Sequence, residues 1–201
     1  MGDFLLYFKL GFEHVLDWKA YDHVLFIIVL CAAYSFSSWK RLLLLVTMFT
    51  LGHTLSLFLS NYGWTPISAA WIEFLIPVTI LAAALYNIYG ARSAPPVEDP
   101  SKSGGKIAFI YVFTVFFGLI HGFGFGRYFN QINDEQALLP LLEFALGIEA
   151  SQVVIVGMVL VFGYVINTFV RIKKRDWILG VSALVMIMTL PMLIENWPWT
   201  S

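Results

Sequence analysis

Apolar and polar positions in this chain come in long blocks, without the two-residue alternation of a half-buried strand. Apolar runs fall at about 22–36, 42–60, 68–89, 106–125, 138–169 and 177–194. Most of them reach or approach the ~20 residues a helix needs to cross a bilayer. Polar turns separate them at 37–41, 61–66, 130–136 and 171–175. A Pro-, Ser- and Gly-rich stretch, 91–105, reads as a flexible linker. Ahead of the first run, residues 3–18 place Phe4, Leu5, Phe8, Phe12, Val15 and Leu16 mainly on one side, with Asp3, Glu13 and Asp17 interrupting the rest. That helix is too short and too charged to span, so it is expected to lie in the interface. The fold class that follows is all-α: one membrane domain, a polytopic helix bundle of about six transmembrane helices plus an N-terminal interfacial helix.

Composition agrees. The chain is 59% hydrophobic and 12% charged, where soluble domains average about 25% charged. The formal net charge of -1 gives no reason to expect a nucleic-acid partner. The single cysteine, Cys31, excludes a disulfide framework.

Orientation follows from the basic residues. Nine of the twelve (Lys40, Arg41, Arg92, Lys102, Lys106, Arg171, Lys173, Lys174 and Arg175) fall in the loops after spans one, three and five, and three (Lys9, Lys19, Arg127) on the other side. The positive-inside rule then puts the odd loops in the cytoplasm and both termini outside it. Residues 1–16 lack the basic start and small-residue cleavage site of a signal peptide, so removal of an earlier leader is the simplest account of an N-out start. Trp64, Trp71, Trp197, Trp199 and Tyr62 read as an aromatic belt at the outer interface.

The ionisable groups are distributed unevenly on this frame. Glu13, His14, Asp17, Asp22 and His23 crowd into eleven positions at the mouth of the first span. His53 lies twelve positions past Arg41 but eight before Asn61, and His121 fifteen past Lys106 but six before Arg127. All four histidines thus fall in the outer layer, while the inner halves offer neutral groups such as Thr47, Asn87, Thr114 and Ser182. Glu149 lies deeper, with Gln152 three residues on and on the same helix face. Charged groups within the bilayer cost ~2.5–3.5 kcal/mol each on insertion scales and are functional candidates by default. The plainer readings are interhelical hydrogen bonding for His53, packing for His121 among Gly122, Gly124 and Gly126, and solvation for Glu13, Asp17, Asp22 and Glu195. Imidazole with carboxylate suits zinc, nickel, cobalt or iron. The chain has no H-E-x-x-H pair, nucleophile elbow or Walker loop, and Ser56 and Ser151 are weak nucleophile candidates. A faint echo links Phe49-x-Leu51-x-His53, followed by Glu73-Phe74, with Phe117-x-Leu119-x-His121, followed by Glu143-Phe144. It is consistent with a degenerate parallel repeat.

These residues resemble the HupE/UreJ family of small bacterial membrane proteins. His14-Val15-Leu16 with Tyr21-Asp22-His23-Val24-Leu25-Phe26, then Phe49-Thr50-Leu51-Gly52-His53, then Gly118-Leu119-Ile120-His121-Gly122-Phe123-Gly124-Phe125, and finally Gly147-Ile148-Glu149 with Gln152 carry the resemblance. Ala20-Tyr21 replaces the glycine usual before Asp-His, and Ala145 and Ser151 replace the family's Asn and Gly. The resemblance implies a nickel or cobalt permease of the bacterial inner membrane, or an accessory to metalloenzyme maturation. It carries over His14, Asp22, His23, His53, His121 and Glu149 as metal ligands. On this reading Asp22 and His23 capture the ion, and His53, His121 and Glu149 form the inner site. Binding is expected to weaken below about pH 6 as imidazole protonates. The alternative is an intramembrane zinc hydrolase acting on a lipid, with Glu149 or Asp22 as base. A third reading is a metal sensor or docking partner of another membrane complex.

Overall fold

The computed structural model describes residues 2–18, 20–93, 104–132 and 138–199. Seven α-helices follow in order: α1 Gly2–Val15, α2 Asp22–Ala32, α3 Trp39–Asn61, α4 Ala69–Ser93, α5 Gly104–Ile132, α6 Leu138–Val170 and α7 Lys174–Glu195, with a 3-10 turn at Phe36–Ser38 before α3. Every regular element among the described residues is helical. Most of the expected linker at 91–105 and most of the polar loop at 130–136 lie outside the described residues.

Five helices, α3 to α7, are long and apolar enough to cross a membrane. Large apolar side chains such as Leu51, Leu55, Met158, Phe162 and Leu184 are exposed on their outer faces, which is the inverse of a water-soluble surface. This is a multi-pass membrane protein. Its two ends differ. One carries Tyr62, Trp64, Trp71, Trp197 and Trp199, with the Trp71 and Trp199 rings 5.0 Å apart. The other carries Lys40, Arg41, Arg92 and Arg171 to Arg175. We call them the aromatic and basic ends.

The first expected span is shorter than the sequence implies. It runs for 11 residues, about 16 Å at ~1.5 Å per residue, against a ~30 Å hydrocarbon layer. Backbone at Ser35 is extended (φ -111°, ψ 167°) and the 3-10 turn then redirects the chain into α3. What α2 lacks in length α1 supplies. Tyr7 of α1 donates to the carbonyl of Ile132 at the aromatic end of α5, 3.0 Å away. His14, in the last turn of α1, lies against His23 in the first turn of α2. Two short helices thus meet at the histidines, one leading in from the aromatic end and the other on toward the basic end.

Close backbone contacts fix these positions. A methyl group on Gly52 would strike the Val115 carbonyl, and one on Gly118 the Phe49 carbonyl. Further along, Gly122 opposes His53 and Ser56, and Gly126 opposes Ser60. The two numberings rise together, so α3 and α5 run parallel, and the small residues let their backbones touch. The crossing of α1 on α6 repeats the pattern, with Gly11 against the Phe144 carbonyl and Gly147 against the Phe8 carbonyl. The recurring geometry thus pairs the α1/α6 crossing with the α3/α5 crossing. α2 is buried on two sides. Ile27 and Cys31 join a cluster with Leu42, Phe144 and Ile148, while Phe26 and Val29 join another with Phe49, Ile80 and Phe117. A helix packed on two sides needs apolar residues nearly all round, which explains why α2 shows no polar stripe.

Candidate metal centre

Four helices deliver one histidine each to a single place. His14 ends α1, His23 opens α2, His53 lies in α3 one position after Gly52, and His121 lies in α5 one position before Gly122. The glycines draw α3 against α5, so His53 and His121 reach the same layer. Ring centroids are 4.8 Å apart for His14 and His23, 5.7 Å for His14 and His53, 5.7 Å for His23 and His53, and 5.2 Å for His23 and His121. Ligand nitrogens of His14, His23 and His53 all lie within 4.8 Å of one another. His53 is fully buried, and His23 and His121 are 3% and 2% exposed.

Hydrogen bonding settles which nitrogens face inward. Asp22 accepts from His23 twice, from the backbone N–H at 2.9 Å and from Nδ1 at 3.0 Å. Nδ1 of His121 donates to the Phe117 carbonyl at 2.9 Å. A carboxylate and a carbonyl only accept, so in both rings Nδ1 carries the proton and Nε2 of the neutral ring keeps its lone pair. Those Nε2 atoms, together with Nε2 of His14 and both ring nitrogens of His53, are buried and have no hydrogen-bond partner among the described residues. A buried polar atom left unsatisfied costs ~1–3 kcal/mol. Clustering several is unfavourable unless the lone pairs are directed at a ligand. Neutral imidazoles held by an outer carboxylate and a carbonyl are the donor set of a transition-metal site. The residues present therefore fit a divalent transition metal, and Asp22 stands behind His23 as its orienting partner.

The surroundings are asymmetric. Toward the basic end lies an aromatic floor. Phe49 is 5.2 Å from the ring of His121, and Phe26 packs on Phe49 at 5.1 Å and on Phe117 at 5.3 Å. Beside His14 lies a cavity of about 620 Å³ lined by Glu13, Asp17, Trp18, Phe125 and Tyr128 among others. The Phe125 ring sits 4.0 Å from that of His14 and stacks on Phe144. Glu13 is exposed and pairs with Lys9 at 3.6 Å, so it belongs to the rim of this cavity.

Glu149 does not join the histidines. The Thr47 hydroxyl donates to its Oε1, and the Thr50 hydroxyl reaches its Oε2 at 2.7 Å. The Thr50 oxygen also lies 2.9 Å from the side-chain amide of Gln152. A hydroxyl has one proton. If that proton goes to the carboxylate, the Gln152 amide must turn its N–H toward Thr50. The result is a separate polar pocket between α3 and α6, about one helical turn from His53. The sequence groups Glu149 with His53 and His121 in an inner site; α6 turns it toward threonines three and six positions before His53. Thr47 and Thr50 as its partners were not read from the sequence; the signal was their spacing of three, which puts both on one helix face.

Comparison with known proteins follows from this geometry. The family described as HupE / UreJ protein matches residues 1–196, and the chain belongs to that family. No curated protein and no solved structure matches it.

Proposed function

We propose that this protein moves or delivers a divalent transition-metal ion, with nickel or cobalt as the cargo, and that His14, His23, His53 and His121 form its binding site. The observation that carries this reading is the convergence of His14, His23 and His53, with His121 beside them, through ring nitrogens that have no hydrogen-bond partner among the described residues. The family membership supports it. The cavity at His14, rimmed by Glu13 and Asp17, supplies an approach by which a hydrated cation can exchange water for imidazole. Asp22 holds His23 in its ligand tautomer and offsets part of the ion's charge. Glu149, Gln152, Thr47 and Thr50, one turn nearer the basic end, would supply a second station with oxygen ligands. Charge asymmetry supports a cytoplasmic basic end in a bacterial cell, with the histidine layer toward the outside. A metalloenzyme-maturation partner would take the ion at the basic end.

One observation favours a second reading. The cavity beside His14 is lined by Leu10, Leu16, Trp18 and Phe125 as well as by carboxylates, and the histidines are floored by Phe26, Phe49 and Phe117, which suits a zinc hydrolase taking a lipid substrate. Zinc held by three of the histidines would supply a polarised water there.

Metal analysis of purified protein tests the site first, wild type beside a His53→Ala, His121→Ala double variant. One equivalent of nickel, cobalt or zinc in the wild type and none in the variant is the expected result. A wild type that takes up no ion when all three are offered would return the histidines to packing roles. Uptake of the bound ion into vesicles, measured against turnover of a lipid ester or amide, then separates permease from hydrolase.

A further inference from the structure

A second cavity lies far from the histidines, at the basic end. It has a volume of about 290 Å³, and α2, the 3-10 turn, α6 and α7 all contribute to it. The chain makes it by a sharp turn. Only three residues separate α6 from α7, and Arg171 among them takes a left-handed conformation (φ 53°). α7 then packs on α4 and α2 rather than back along α6. The two consecutive helices splay, and the wedge between them stays open. Its walls are apolar: Cys31, Phe36, Val159, Leu160 and Ile166, with Trp177 across from Gly163. Its mouth is polar, where Ser35, Ser37, Asn167 and Lys174 line it.

Charge around the mouth is mostly positive. Arg171, Lys173, Lys174 and Arg175 stand on the α6–α7 side, and Lys40 and Arg41 follow the 3-10 turn on the other. Asp176 is the one carboxylate in segments 31–41 and 159–177. An apolar slot sized for a hydrocarbon chain, open at the end of a membrane bundle and ringed by cations, complements one kind of molecule. We propose that it holds an anionic phospholipid, with an acyl chain between α6 and α7 and the phosphate among the basic residues. Basic pockets between membrane helices select lipid headgroups by this combination. The bound lipid would fill the wedge that α6 and α7 leave, so it is a structural ligand of the α6–α7 corner and independent of the metal site.

Native mass spectrometry of the purified full chain tests this, with phosphatidylglycerol and phosphatidylcholine of matched chains offered in turn. The wild type is expected to retain one phosphatidylglycerol with at least tenfold preference. Gly163→Leu, which fills the slot and leaves the cations, is expected to lose both lipids while keeping its bound metal and helix content. Lys174→Gln with Arg175→Gln leaves the slot and is expected to bind the two lipids equally. Because those two side chains are exposed, this variant carries the test even where Gly163→Leu fails to fold. Equal retention of the two lipids by the wild type would overturn the proposal. So would undiminished retention by a folded Gly163→Leu. Displacement of the lipid by glycerol phosphate alone would reassign the mouth to a soluble anion. A lipid-free dimer dispersed by Gly163→Leu would assign the slot to a second copy of the chain.

Discussion

Two buried polar sites sit about one helical turn apart along α3, and they are built on opposite rules. Around His53, ligand nitrogens of His14, His23 and His53 lie within 4.8 Å of one another with His121 beside His23, and the bonds His23 and His121 do make are on the far side, to Asp22 and to the Phe117 carbonyl. Around Thr50, a carboxylate and two hydroxyls bond to one another, the Gln152 side-chain oxygen lies 2.9 Å from the Thr50 hydroxyl, and only the Gln152 amide nitrogen is left over. The first arrangement leaves several ring nitrogens unused, and the second leaves a single amide nitrogen. Burial and polarity are common to both, so neither distinguishes a binding site. The direction of the unused lone pairs does. A transition ion would bind tightly at the histidines, whereas the Glu149 pocket would exchange its hydroxyl partners for an ion at small net gain and so suit brief occupancy.

The comparison can be broken by experiment. The largest effect is expected from His23→Ala with His53→Ala, which removes two of the three converging ligands. Affinity for the bound ion should fall by more than about 100-fold by titration calorimetry, beyond what orienting partners contribute. If Glu149→Ala did the same, the distinction between the two sites would fail. Asp22→Asn should come next. It keeps the shape but removes the charge behind His23, and affinity should drop by about 10–100-fold with no change in yield or helix content. The smallest effect on equilibrium binding is expected from Glu149→Gln, within about threefold, because its partners are hydroxyls that an amide can also engage. Uptake into vesicles should nevertheless slow in this variant. Unchanged uptake would leave the Glu149 pocket a purely structural feature.

Several of these features could be read before any coordinates. The long apolar blocks set the helical membrane fold, because a backbone in hydrocarbon must satisfy its own hydrogen bonds. Counting from the basic loops placed all four histidines in one layer, since depth in a helix is linear in sequence. The same reasoning failed for the first span. An apolar run shows where a helix can exist, but the break after Ala32 depends on how α2 is packed between two clusters. It also could not show that α1 completes the passage of α2, a relation carried by Gly11 against α6.

Helix type, number and depth were therefore properties of this sequence alone: each follows from local periodicity and from the cost of charge in a bilayer, and neither requires knowledge of a neighbour. Azimuth was decided only by the tertiary structure. Glu149 lies one turn from a layer of histidines and faces threonines, and the α6–α7 wedge opens because α7 leans on α4. Rotation about a helix axis is set by which small residues let two backbones touch, and those pairings join positions more than sixty residues apart, as Gly52 and Val115 do.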